Sequence, residues 1–138
     1  MTPEPDTRDR AIVDELRAAL PDVLAIYRFG SSVGGTTHRG SDIDVAILAR
    51  APLAPARRFD LQERLAARLG RDVDLVDLAA ATPVLAIQVV AHGTVLLDAD
   101  PVARGHFEDR TFSAYARLNE ERRAILDRVR SEGTVYGR

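Results

Sequence analysis

The stretch FGSSVGGTTHRGSDIDVAI, Phe29–Ile47, joins a turn of small residues to two aspartates one residue apart. Asp42 and Asp44 open an apolar run, Ile43–Ala49, that reads as a strand. Alternate residues of a strand share a face. Asp42 and Asp44 therefore project together, and Ile43, Val45 and Ile47 project the other way. The apolar set suits packing on helices and leaves the acidic pair facing an open cleft. Two carboxylates on one face repel each other unless a cation lies between them. Their hard oxygens suit Mg2+ or Mn2+, with phosphates completing the shell.

The residues before the pair fit a phosphate. VLAIYRF, Val23–Phe29, reads as a buried strand running into Gly30. Gly30, Gly34 and Gly35 permit close backbone approach, and Ser31 and Ser32 add hydroxyl donors. A helix starting here would aim its first N–H groups at an anion. Ser41 suits a cap or a phosphate contact. A glycine turn alone is usually a linker, and a bare D-x-D is usually a solvated strand edge. Gly-Ser, a ten-residue gap and D-x-D together are far more specific.

A two-metal site takes a further carboxylate from a neighbouring strand. RDVDLVDL, Arg71–Leu78, offers three. With Val73 and Leu75 turned to the helices, Asp74 faces the cleft with Asp72, and Asp77 has the opposite parity. Asp74, in the strand body, is the choice. Asp72, nearer the turn, is second.

Further out, Asp6–Leu20 has helical periodicity and stops at Pro21. Ala56–Leu69 is a second amphipathic helix closed by Gly70. Thr82-Pro83 opens a short helix through Val90, and TVLLD, Thr94–Asp98, is a short strand. Asp100-Pro101 caps a long last helix that Gly133 is expected to end. The order predicts an α/β (α+β) domain of two layers: a small mixed sheet backed by helices, with a long C-terminal helix. The 138 residues suit one domain, 1–138.

Composition removes several chemistries. There is no Cys, hence no disulfide framework, zinc knuckle or thiol nucleophile, in keeping with a cytoplasmic protein. All 19 Lys+Arg residues are Arg, which excludes a Walker A lysine, a Schiff base and a lysyl adenylate. The net charge of -2 argues against a generally basic nucleic-acid surface. The polar N-terminus is no signal peptide, and no apolar run is long enough to span a bilayer.

GSSVGGTTHRGSDID, Gly30–Asp44, resembles the Gly-Ser-x10-Asp-x-Asp signature of the polymerase-β-like nucleotidyltransferase superfamily. The compact length is similar to that of the minimal nucleotidyltransferase (MNT) antitoxins. RDVDLVDL resembles their third-carboxylate strand, and AIQVVAHGTVLLDAD the helix, glycine and strand that follow. The resemblance implies a nucleotidyltransferase fold and transfer of AMP from ATP to a hydroxyl, with pyrophosphate leaving. It implies that Gly30 and Ser31 bind the triphosphate and that Asp42, Asp44 and Asp74 hold two Mg2+ ions. Asp74 would also help activate the acceptor. The implied acceptor is a tyrosine of a HEPN-domain ribonuclease toxin.

The sequence departs from the pattern at Val33-Gly34-Gly35, where many MNT sequences carry Ala-Arg-Gly. The missing Arg bears on nucleotide affinity, and Arg28 and Arg39 are the nearest substitutes. Two other readings compete: an antitoxin that neutralises its partner by binding alone, and a small-molecule nucleotidyltransferase of the aminoglycoside-modifying kind. His38 reads as a solvated loop residue, and Arg50, Arg57 and Arg58 as a solvated face. Phe112 and Tyr115 read as core. RLNEERRAILDRVRSE, Arg117–Glu132, reads as a solvated helix face laced with i,i+4 charge pairs.

Overall fold

The computed structural model describes residues 5–30 and 43–135. Alternating apolar runs build its sheet. The strands β1 (Ala25–Phe29), β2 (Ile43–Leu48), β3 (Val73–Asp77) and β4 (Thr94–Asp98) lie in the order β3-β2-β1-β4. β1 pairs antiparallel with β2 and β4, and β2 pairs parallel with β3, so the sheet is mixed. The parallel pair needs a crossover, and α2 (Pro55–Leu69) supplies it.

One face carries Ile26, Ile43, Val45, Ile47, Val73 and Leu75. It is covered by Ile12 and Leu16 of α1 (Pro5–Ala19) and by Leu61 and Leu65 of α2. Each such side chain contributes about 1.5–3 kcal/mol through burial. On the other face, Ala25, Tyr27, Phe29, Ala46 and Leu48 lie in a cluster with Ala86 and Val89 of α3 (Pro83–His92). Ala103 and Phe107 of α4 (Pro101–Val135) pack against that cluster. The helical backing expected from the sequence is present, and α3 with the start of α4 adds cover on the second face. That cover does not reach Asp74, which is exposed.

The helix ends follow their capping residues. Thr82 Oγ1 accepts from the Leu85 N–H at 3.2 Å, and Asp100 Oδ1 accepts from the Ala103 N–H at 3.0 Å. Such caps contribute roughly 1 kcal/mol each. Gly70, at φ 68°, closes α2 in the left-handed region.

Several boundaries differ from the sequence reading by a residue or two, β1 opening at Ala25 rather than Val23 and α3 ending at His92 rather than Val90, and two others have a local cause. Leu78 opens a short 3-10 turn, Leu78–Ala80, because Asp77 caps it through the Ala79 N–H at 3.1 Å. Gly133 does not stop α4, which runs to Val135; one glycine costs a helix about 1 kcal/mol without breaking it.

At 35 residues α4 is roughly 52 Å long. Every residue from Glu120 to Glu132 is exposed, as a solvated face requires, and Ile125, Leu126 and Val129 are exposed with them. Among the described residues no helix is long and apolar enough to cross a membrane.

Candidate active site

The site grows from strand register. Asp44 lies between buried Ile43 and Val45, and Asp74 between buried Val73 and Leu75. The parallel pairing sets Asp44 opposite Asp74. Both carboxylates therefore leave the same face of neighbouring strands, whose usual spacing is about 4.8 Å. Asp44 is half-buried and Asp74 exposed.

On its other side Asp44 pairs with Phe29, the last residue of β1. The chain then turns at Gly30 with φ 85°. A β-carbon on Gly30 would collide with Asp44 Oδ2 and lie 2.9 Å from its Cγ. The turn backbone thus stands against the carboxylate, and only glycine fits both the space and the φ angle.

Of the residues singled out in the sequence, Gly30, Asp44 and Asp74 are brought together. Ser31, Ser41 and Asp42 lie outside the described residues, as do Val33-Gly34-Gly35, His38 and Arg39. Asp72 is exposed just before β3, and its carbonyl accepts from the Ile43 N–H at 2.9 Å. Asp77 is only 6% exposed and accepts from the Leu53 N–H at 2.7 Å. It pins the β2–α2 connector rather than facing the cleft.

Several arginines are placed differently from the sequence reading. Arg28 is opposite Val45, on the face away from Asp44, and its Nε is 3.0 Å from Asp9 Oδ1. It ties β1 to α1 and is not a substitute phosphate ligand. Arg57 and Arg58 are not merely solvated. Arg57 donates to the Ala19 carbonyl at 2.7 Å, at the end of α1. Arg58 donates to the Leu75 carbonyl at 3.0 Å and to Gln62 Oε1 at 3.1 Å. Phe112 is 49% exposed rather than core, because α4 turns Phe107 and Thr111 inward instead.

Sequence reasoning missed two supports. Gln62 Oε1 accepts from the Leu75 N–H at 2.9 Å. With Arg58, it satisfies both backbone groups of the residue after Asp74, on an edge strand that would otherwise leave them open. The one available signal was polar residues, Arg58 and Gln62, four apart on the amphipathic helix that precedes β3.

The second support is Tyr27. Its hydroxyl donates to Glu108 Oε2 at 2.8 Å, and Arg104 donates to the same oxygen at 2.7 Å and pairs with Asp98 at 3.1 Å. This chain ties β1, β4 and α4 together. Burial, and then the Glu108 carboxylate, push the Tyr27 pKa well above its ordinary 10.0. The Asp98 hydrogen bond, followed by Glu108, holds Arg104 still more firmly cationic. No sequence spacing joins these residues, so only the fold reveals the link.

The donor set fits a hard divalent cation: two carboxylates in register on one face, one exposed and one half-exposed, beside a turn that approaches without side-chain bulk. Mg2+ is ordinarily held by one or two carboxylates together with substrate phosphates. Among the described residues no group of three metal-ligating side chains is present; the third expected ligand, Asp42, lies outside them.

The mixed sheet, the glycine turn and the paired carboxylates define a nucleotidyltransferase architecture. Residues 11–102 match the family model described as "Polymerase beta, Nucleotidyltransferase". The chain belongs to that family. It is 43% identical over 121 residues to protein adenylyltransferase MntA of Shewanella oneidensis, covering 88% of this chain and 86% of that protein. Among solved structures it is similar to a toxin-antitoxin with AMP-PNP, with a TM-score of 0.80 and 43% identity over 88% of this chain and 97% of that one. It is also similar to a complex of tri-AMPylated Shewanella oneidensis HEPN toxin with MNT antitoxin. That match has a TM-score of 0.77 and 38% identity, over 90% of this chain and 97% of that one.

Proposed function

We propose that this chain is an antitoxin of the MNT type that transfers AMP from ATP to a tyrosine hydroxyl of a HEPN-domain ribonuclease toxin. The observation that carries this reading is the in-register pair Asp44 and Asp74 beside Gly30. The likeness to an adenylyltransferase over most of the chain supports it. We further propose that residues 1–138 act as one minimal nucleotidyltransferase domain in the cytoplasm.

In this account the turn at Gly30 and Ser31, with Ser41, holds the triphosphate through backbone N–H groups and hydroxyls. Asp42, Asp44 and Asp74 would hold two Mg2+ ions, which would supply charge neutralisation at the phosphates and a lowered pKa of the acceptor. Asp74, the more exposed of these two described carboxylates, would help activate the acceptor hydroxyl by taking part in drawing off the tyrosine proton. The tyrosyl oxygen attacks the α-phosphorus in line. The bond from that phosphorus to the α,β-bridging oxygen breaks, and pyrophosphate leaves. The exposed Ile125, Leu126 and Val129 of α4 offer apolar surface for a protein partner.

A second reading rests on Arg28. With that side chain turned to Asp9 and no Arg at 33–35, two candidate arginine contacts to the triphosphate are lost, which favours neutralisation by binding alone. The test is intact-mass spectrometry of the protein encoded beside this one after incubation with this chain, ATP and Mg2+. A gain of whole AMP units supports transfer. A stable complex without mass gain supports binding alone. A small hydroxyl compound modified in place of a protein would support the small-molecule reading.

A further inference from the structure

The far end of the same sheet face carries a pocket. It has a volume of about 510 Å3 between the 3-10 turn, the start of α3 and α4. Its apolar walls include Leu48, Leu78 and Phe107, and its polar side chains include Arg50, His106 and Arg110. Among the described residues no Asp or Glu lines it. Leu48 has the same strand parity as Asp44 and lies four residues on, a separation of roughly 13 Å.

Arg50 and Arg110 are both exposed, so their guanidiniums are accessible to an anion from solvent. Arg28, Arg57, Arg58, Arg64, Arg68 and Arg104 are all engaged by carboxylates, carbonyls or an amide. Arg50 and Arg110 line one pocket with no salt bridge or hydrogen bond among the described residues. The α3 N-terminus, with Pro83 in the pocket wall, adds positive potential. Two unengaged guanidiniums above an apolar floor suit a flat apolar body that carries phosphate.

We infer that this pocket is a second nucleotide subsite that takes an adenylate, either free AMP or an AMP unit already carried by the protein acceptor. The inference rests on the adenylyltransfer reading above for the identity of the nucleotide. The base lies on the partly exposed Phe107, with Leu48 and Leu78 buried beneath it, and the phosphate faces Arg50 and Arg110. An acceptor-borne adenylate held here stays on the enzyme's face while a fresh ATP fills the acidic end. Each further AMP is then joined to a ribose hydroxyl of the held adenylate: that oxygen attacks the α-phosphorus of the fresh ATP and loses its proton, and pyrophosphate leaves.

Two measurements on Arg50→Gln/Arg110→Gln test this, with circular dichroism to check the fold. The first is calorimetric titration with AMP in an Asp44→Asn/Asp74→Asn background, which removes the acidic end as a competitor. The second is the ladder of AMP units on the acceptor protein, read by mass. A free-nucleotide site predicts AMP binding weakened at least tenfold in the arginine variant. An acceptor-borne site predicts a normal first AMP with later additions slowed at least tenfold. Unchanged AMP affinity and an unchanged ladder would overturn the inference. If the wild type adds no AMP at all, the adenylyltransfer reading fails, and the titration alone still decides whether the pocket binds nucleotide.

Discussion

Gly30 and Asp44 touch: the Gly30 α-carbon stands so close to the Asp44 carboxylate that a β-carbon would lie 2.9 Å from Cγ. The backbone that would carry a triphosphate and the carboxylate that would carry its metal are one packed unit. Gly30→Ala should therefore displace the carboxylate as well as strain the turn. The left-handed φ alone costs about 1–2 kcal/mol. Gly70 is the control, since it is also left-handed but has nothing within 4 Å. Gly30→Ala should lose transfer activity at least about 100-fold, whereas Gly70→Ala should lose only stability. Equal activity in the two variants would show that the Gly30–Asp44 contact is irrelevant to catalysis.

Asp44→Asn and Asp74→Asn should each keep the fold, since one carboxylate is half-exposed and the other exposed. Each should reduce AMP transfer by at least about 100-fold, the scale of losing several kcal/mol of charge stabilisation. Single-turnover assays with a circular dichroism check would measure this. Near-normal transfer by Asp74→Asn would remove it from the ligand set.

Gln62 predicts a subtler effect. Gln62→Leu leaves the Leu75 N–H without its 2.9 Å partner and frees one arm of Arg58. The cost should be about 1–3 kcal/mol in stability. Because Asp74 precedes Leu75, transfer should also weaken, with a higher Mg2+ requirement than wild type. A stability loss with an unchanged Mg2+ titration would make Gln62 purely structural.

Tyr27 gives a pH signature. Its folded-state pKa lies above the ordinary 10.0, because burial and Glu108 favour the neutral phenol. The folded state then binds the proton more tightly than the unfolded chain. This contribution is complete below about pH 10 and is lost as pH rises toward the folded value. Tyr27→Phe should flatten the alkaline limb of the stability curve while costing about 1 kcal/mol at neutral pH. Denaturation midpoints between pH 8 and 11, roughly the span around the phenol's ordinary range, would test both.

The period-2 alternation of IDVAIL and VDLVD was enough to place Asp44 and Asp74 on one face, because a strand leaves no other choice. Cap chemistry at Thr82 and Asp100 was equally local. What sequence could not supply was anything set by distant packing. Arg28 reads as near the turn, yet strand parity and Asp9 send it to the opposite face. Arg58 and Gln62 meet Leu75 only after α2 crosses over, and Tyr27 finds Glu108 across 81 positions. The pocket at Arg50 and Arg110 likewise exists only once α4 lies over the end of the sheet.

The most direct measurement is the intact mass of the neighbouring-encoded protein after incubation with this chain, ATP and Mg2+, beside Asp44→Asn/Asp74→Asn. The account predicts whole AMP increments, mapped to a tyrosine, with the wild type and none with the double variant. Increments that persist with the double variant would contradict the carboxylate assignment, and a stable, unmodified complex would contradict adenylyl transfer itself.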